Sequence, residues 1–168
     1  MLHRLIILAI FVGTPIISLA QTNASQLEAN KKLAEDFFKS GALQHPEGVA
    51  DKFLAPDYVQ HNPRFVQFDQ EHHPSGKEGF VQAIKSGILA PPHPPGEAVP
   101  PPPPPRTEAF AIAEGDLVTI VWKQPLPDPS DKSKTYEAFT FDAFRVKNGK
   151  FVEHWDGAML PPGGPPRN

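Results

Sequence analysis

Three short stretches of this 168-residue sequence set ionisable or hydrogen-bonding side chains among aromatics. They are Tyr58-Val59-Gln60-His61-Asn62-Pro63, Phe141-Asp142-Ala143-Phe144-Arg145 and Glu153-His154-Trp155-Asp156. Each falls in a stretch that reads as strand. Alternate side chains of a strand share a face, so Thr140, Asp142 and Phe144 belong to one side, and Phe139, Phe141, Ala143 and Arg145 to the other. An acid alternating with bulky apolar residues lies either in a pocket or on a solvated face, where Arg145 could pair with it. Inside a pocket, desolvation disfavours the anion and raises its pKa, which suits proton transfer near neutral pH. His61 offers an imidazole that titrates near neutrality, and could serve a substrate oxygen or merely hold a backbone carbonyl at a strand end. His154 and Asp156 stand two apart on one strand face, so they either reach one site or form the polar face of an edge strand.

Other chemistries are excluded by what the sequence lacks. With no cysteine there are no disulfides, thiolate nucleophiles, cysteine zinc sites or iron–sulfur ligation. His61, His72, His73, His93 and His154 invite a metal reading, but no helical His-x-x-x-His or other ligand spacing occurs, so no metal is expected. No glycine-rich loop opens a helix, and no serine sits in a nucleophile elbow. The net charge is −3 and Lys and Arg form no basic stripe, which argues against nucleic acid.

The elements that must position these residues follow from periodicity. Residues 1–20 carry Arg4, an apolar run over Leu5–Val12 and a small-residue end at Ser18-Leu19-Ala20. This is the layout of a secretory signal peptide cleaved before Gln21, and it predicts a secreted or periplasmic protein with no membrane attachment after cleavage. The other reading is an uncleaved anchor, against which stand Gly13, Thr14, Pro15 and Ser18 within the run. Asn23-Ala24-Ser25 is a glycosylation acceptor in a eukaryotic host only. Ser25-Gln26-Leu27-Glu28 reads as a capping box, opening an amphipathic helix with Leu27, Leu33, Ala34, Phe37 and Phe38 that stops near Gly41. Shorter helices are predicted over Glu47–Leu54 and Gly76–Ile88, with a strand at Tyr58–His61 ended by Asn62-Pro63.

The second half changes period. Thr107–Ala113 and Leu117–Lys123 flank the turn Glu114-Gly115-Asp116. Thr135–Val146 and Lys150–Trp155 flank Asn148-Gly149, a strong hairpin signal. Pro125, Pro127 and Pro129 predict a long, irregular connection after Trp122. Helices first and antiparallel strands afterwards mean an α+β fold. Of 22 prolines, ten lie between Pro91 and Pro105. Residues 90–105 therefore read as a proline-rich surface insertion, extended as polyproline II, serving as a spacer or as a docking ligand.

These stretches resemble the SnoaL-like group of the NTF2-like superfamily, in particular the branch of predicted aldol-condensation enzymes. The resemblance rests on Tyr58–Pro63, Gly76–Phe80, Ala113–Val118 and Phe141–Asp156 and spans about Lys31–Pro162. It implies a single domain over residues 21–162, followed by a flexible tail at 163–168. The implied fold is a cone-shaped α+β barrel, in which a bent antiparallel sheet wraps around N-terminal helices and encloses an apolar pocket. It also implies cofactor-free, metal-free acid/base chemistry on a small apolar carbonyl compound, of aldol/cyclase, isomerase or hydratase type. Asp142 takes the position of the family's general acid/base, and His61 that of its pocket histidine. Tyr58, Gln60, Phe144, His154, Trp155 and Asp156 become substrate-binding positions. The superfamily also contains members that bind a small ligand without catalysing. Relatives commonly pair through the outer sheet face, which suggests a homodimer through the side carrying Phe139, Phe141 and Ala143. The proline tract and the prolines after Trp122 mark where pocket access would differ from that of relatives.

Overall fold

The computed structural model describes residues 16–42, 44–72, 74–89, 104–131 and 133–158, with side chains from residue 23 onward. The expected leader lies outside these residues except for the backbone of 16–20. The proline tract lies outside them apart from Pro104 and Pro105, and the tail at 163–168 lies outside altogether.

Among the described residues, four helices and five strands run in the order α1 (Ile16–Lys39), α2 (Pro46–Phe53), β1 (Leu54–Gln60), α3 (Pro63–His72), α4 (Gly76–Lys85), β2 (Thr107–Glu114), β3 (Leu117–Pro127), β4 (Thr135–Lys147) and β5 (Lys150–Asp156). This is the expected α+β order. The strands form one sheet, β1-β5-β4-β3-β2. The last four make an antiparallel meander, while β1 joins its edge in parallel, with Leu54 beside Phe151 and Gln60 beside His154. Irregularities in register between Glu108 and Phe110 and between Arg145 and Val146 let the sheet bend toward the helices.

Four elements depart from the sequence expectation: strand β1 begins at Leu54, inside the expected helix and four residues before the expected strand, and the other three are α1, α3 and β3. Helix α1 spans Ile16–Lys39, so Ser25 to Glu28 lie inside it rather than at its start. Helix α3 follows the Asn62-Pro63 pair, which does end a strand but also starts a helix. Asn62 Oδ1 accepts from the Arg64 backbone N–H at 2.9 Å, and Pro63 takes the first helical position, where its missing donor does no harm. Strand β3 continues unbroken through Pro125 and Pro127, which pair with Glu137 and Thr135 on β4. On its other side β3 loses β2 after Lys123, so these prolines stand on a free edge where a donor is dispensable. The strands are therefore longer than expected and leave residues 128–134 between them, where Asp128 and Asp131 accept from the backbone N–H groups of Ser130 and Ser133. The Asn148-Gly149 hairpin forms as expected, with φ of 53° and 70°.

The core joins helices to sheet through aromatic edges. Phe37 of α1 lies 5.7 Å from Phe53 of α2, 6.2 Å from Phe80 of α4, 5.6 Å from Phe144 of β4 and 5.5 Å from Phe151 of β5, measured between ring centroids. One side chain thus couples four elements, and truncating such a ring costs on the order of 3–5 kcal/mol. Gly76 sets the entry of α4. Its φ is +59°, and a Cβ there would collide with the Pro56 carbonyl oxygen. No helix among the described residues is long and apolar enough to cross a membrane.

Candidate active site

The inner sheet face meets α1 and α4 around a cavity of about 450 Å³. Its wall is mostly aromatic and aliphatic, with Phe37, Phe38, Phe65, Phe80, Ile84 and Phe144. Polar groups converge at one end. Strand parity brings Asp142 from β4, His154 and Asp156 from β5, and Tyr58 and Gln60 from β1 to this face.

Asp142 is buried, with 6% of its surface exposed. Its Oδ2 accepts from Trp122 Nε1 at 2.6 Å and from Arg106 Nη1 at 3.1 Å, and its Oδ1 faces His154 Nε2 at 3.0 Å. A carboxylate offers about four acceptor positions, so these three donors leave one open, on Oδ1. Burial pushes the Asp142 carboxyl up, but His154, Arg106 and Trp122 together outweigh it and hold the group below its ordinary range. This corrects the expectation that a pocket position raises the pKa: desolvation acts, yet the imidazole, the guanidinium and the indole donor outweigh it. The partner is also not Arg145, which lies on the opposite face and bonds Glu153 at 2.8 Å and Asp116 at 3.0 Å.

His154 is held from both ends. Gln60 Oε1 accepts from the Asn62 backbone N–H at 3.0 Å, which fixes the orientation of the amide. Because that same oxygen lies 2.7 Å from His154 Nδ1, Nδ1 must carry the donated proton. Nε2 then points at Asp142 Oδ1, so a proton lies between them. Gln60 Nε2 donates to the Tyr58 hydroxyl at 3.3 Å. Tyr58 is buried, and burial together with Asp142 and Asp156 keeps its phenol far above its usual pKa, so it is a neutral donor. No hydrogen-bond acceptor for its O–H stands among the described residues, and Tyr58 lines the cavity. Asp156 is tied to Asn62 Nδ2 at 2.8 Å and to the Ala158 N–H at 2.9 Å.

The structure therefore brings Asp142, Tyr58, Gln60, Phe144, His154 and Asp156 to one cavity, and it separates His61 and Trp155 from it. The His61 ring stacks on Trp155 at 5.1 Å and lies 3.3 Å from Glu153 Oε1, in a half-exposed network that includes Arg145. The reason is parity: Tyr58 and Gln60 point inward, so His61 points out. Placing His61 beside Asp142 is thus corrected, and His154 is the histidine that faces the acid. Sequence reasoning also missed Arg106, Trp122 and Asn62. Trp122 shares inward parity with Val118 and Ile120, which gave a usable signal. Arg106 gave none, since it follows an aperiodic proline tract.

One ligand-type atom from each of Asp142, His154 and Asp156 lies within 4.8 Å of the others, a grouping no sequence spacing announces. His154 Nε2 is turned toward Asp142, and Arg106 covers the second carboxylate oxygen, so a metal ion here would have to break the Asp142–His154 contact and compete with the Arg106 guanidinium.

No protein-family model and no curated protein matches the sequence. Among solved structures, the chain is similar to an NTF2-like protein of unknown function from Burkholderia pseudomallei, at 13% identity over 78% of this chain and 91% of that one, with a TM-score of 0.49. It is also similar to a proposed polyketide cyclase from Acidithiobacillus ferrooxidans, at 16% identity over 76% and 86% with a TM-score of 0.48. A third likeness is to TsrD from Streptomyces laurentii, at 21% identity over 77% and 87% with a TM-score of 0.41.

Proposed function

We propose that this chain is a secreted member of the SnoaL-like group that binds a small apolar carbonyl compound in its cavity and acts on it by cofactor-free acid/base chemistry. The observation that carries the reading is the buried Asp142–His154 pair at the polar end of an aromatic pocket, with a tyrosine hydroxyl whose proton is uncommitted. In an aldol step, the open position on Asp142 Oδ1 takes a proton from the carbon next to the carbonyl. The developing enolate oxygen is held by the Tyr58 O–H, while His154 Nε2–H stays on the carboxyl. The enolate carbon then bonds to a second carbonyl carbon, whose oxygen takes the proton back from Asp142. No atom is lost and the pair returns to its starting state.

The test is a screen of aldol, isomerisation and hydration substrates with the unaltered protein and Asp142→Asn. Loss of the base is expected to lower turnover by roughly 10²–10⁴-fold; equal turnover by both proteins overturns the assignment.

A second reading is a non-catalytic ligand carrier. The depressed Asp142 carboxyl, engaged by three donors, favours it, because a weakly basic anion anchors a ligand better than it moves a proton. Ligand that co-purifies, is never turned over, and still binds Asp142→Asn would establish that reading.

A further inference from the structure

Arg106 enters the cavity wall from just beyond the proline tract and is used only in part. One of its five N–H donors reaches Asp142 Oδ2, and it makes no other hydrogen bond among the described residues. Its guanidinium lies 5.0 Å from the Trp122 ring centroid and 5.7 Å from that of Phe38, so the cationic plane rests on aromatic faces. Its backbone is pinned on both sides: the Gln124 amide donates to the Pro104 carbonyl, and the Thr107 hydroxyl donates to the Lys123 carbonyl at 3.4 Å. The donors that Asp142 does not use are thus held in place at a half-exposed position lining the cavity, where 38% of the side chain is accessible.

The local charges are unevenly matched. A single carboxylate, Asp142, serves both Arg106 and His154. The other acid at this end, Asp156, is bonded to Asn62 and the Ala158 N–H rather than to Arg106. A planar guanidinium with open donors in an aromatic wall matches a carboxylate in shape and charge, whereas a neutral carbonyl uses only part of the fork.

We propose that the ligand of this cavity is a compact apolar carboxylic acid, its carboxylate held by Arg106 and its body among Phe37, Phe38, Phe80 and Phe144. The inference rests on the cavity being the ligand site, as proposed above, and adds the class of compound it selects. It also reconciles the strongly held Asp142 with a proton-transfer role. A bound carboxylate shares the Arg106 charge that otherwise stabilises Asp142, so ligand binding makes Asp142 a stronger base.

The experiment is calorimetric titration of the full chain with naphthoate and with naphthamide, which share a two-ring body and differ in charge. Naphthoate is expected to bind roughly ten- to a hundredfold more tightly than naphthamide. In Arg106→Gln the naphthoate affinity should fall to the naphthamide level, and Arg106→Lys, which keeps the charge but not the fork, should lie between. Equal binding of the two probes by the unaltered protein, or unchanged naphthoate affinity in Arg106→Gln, overturns the role of Arg106 and leaves the pocket reading standing. If neither probe binds, this proposal and the pocket as a ligand site fall together.

Discussion

His154 Nε2 stands 3.0 Å from Asp142 Oδ1, although the β4–β5 register pairs His154 with Phe144 and Asp142 with Asp156. The contact is diagonal across the ladder, within reach of side chains two positions apart on one face. Phe144 lies under the bridge, its ring 4.5 Å from the imidazole, so the pair is supported by packing as well as by hydrogen bonds.

The depressed Asp142 carboxyl carries a stability signature in pH. In the unfolded chain the group binds protons at the ordinary aspartate value of about 3.9, and in the fold it does so only at lower pH. Between the two values the unfolded state holds more protons, so stability rises with pH there. The contribution is complete above the unfolded value and is lost as pH falls through the folded one. Asp142→Asn should therefore melt earlier near neutral pH, by about 1–3 kcal/mol, with the gap closing below about pH 4. Thermal melts of both proteins across that range check it; a gap independent of pH is the opposing result.

Tyr58→Phe keeps the ring that packs 6.3 Å from Phe80 and removes only the hydroxyl. Turnover is expected to fall roughly 10²–10³-fold, as when one oxyanion donor is removed, with little change in substrate KM. A variant with undiminished kcat would show that another group holds the carbonyl oxygen.

His61→Ala tests the separation of the two histidines. Losing the stack on Trp155 and the contact with Glu153, both half-exposed, should cost less than about 1 kcal/mol and leave ligand affinity unchanged. His154→Ala should abolish turnover. A pocket-level loss in His61→Ala would contradict the geometry.

The outer sheet face exposes Phe110, Ile112, Phe139 and Phe141, with Phe110, Val121 and Phe141 in one cross-strand row. We propose that two copies pair through it. Light scattering at micromolar concentration should return twice the chain mass, and Phe139→Glu with Phe141→Glu should return a monomer, since each buries a charge in the apolar contact. A monomer mass for the unaltered protein rejects the pairing.

Much of this was written locally. Period two along Phe139–Val146 places Asp142 and Phe144 on one face, and Asn148-Gly149 turns the chain so that β5 returns beside β4. These are short-range steric facts, and a sequence carries them whole. The same parity would have turned His61 outward once Tyr58 was taken as inward. What the sequence could not decide was the balance of forces at Asp142. Burial alone would raise its pKa, but Arg106 lies 36 positions away, Trp122 20 and His154 12, and only folding brings their donors to two oxygens. Nothing in the spacing of Arg106, at the end of an aperiodic proline tract, encodes that approach. The fold and the identity of the acid are therefore properties of local pattern, whereas the acid's charge state and the chemistry open to it are properties of long-range contact, because electrostatic energy depends on distance in space.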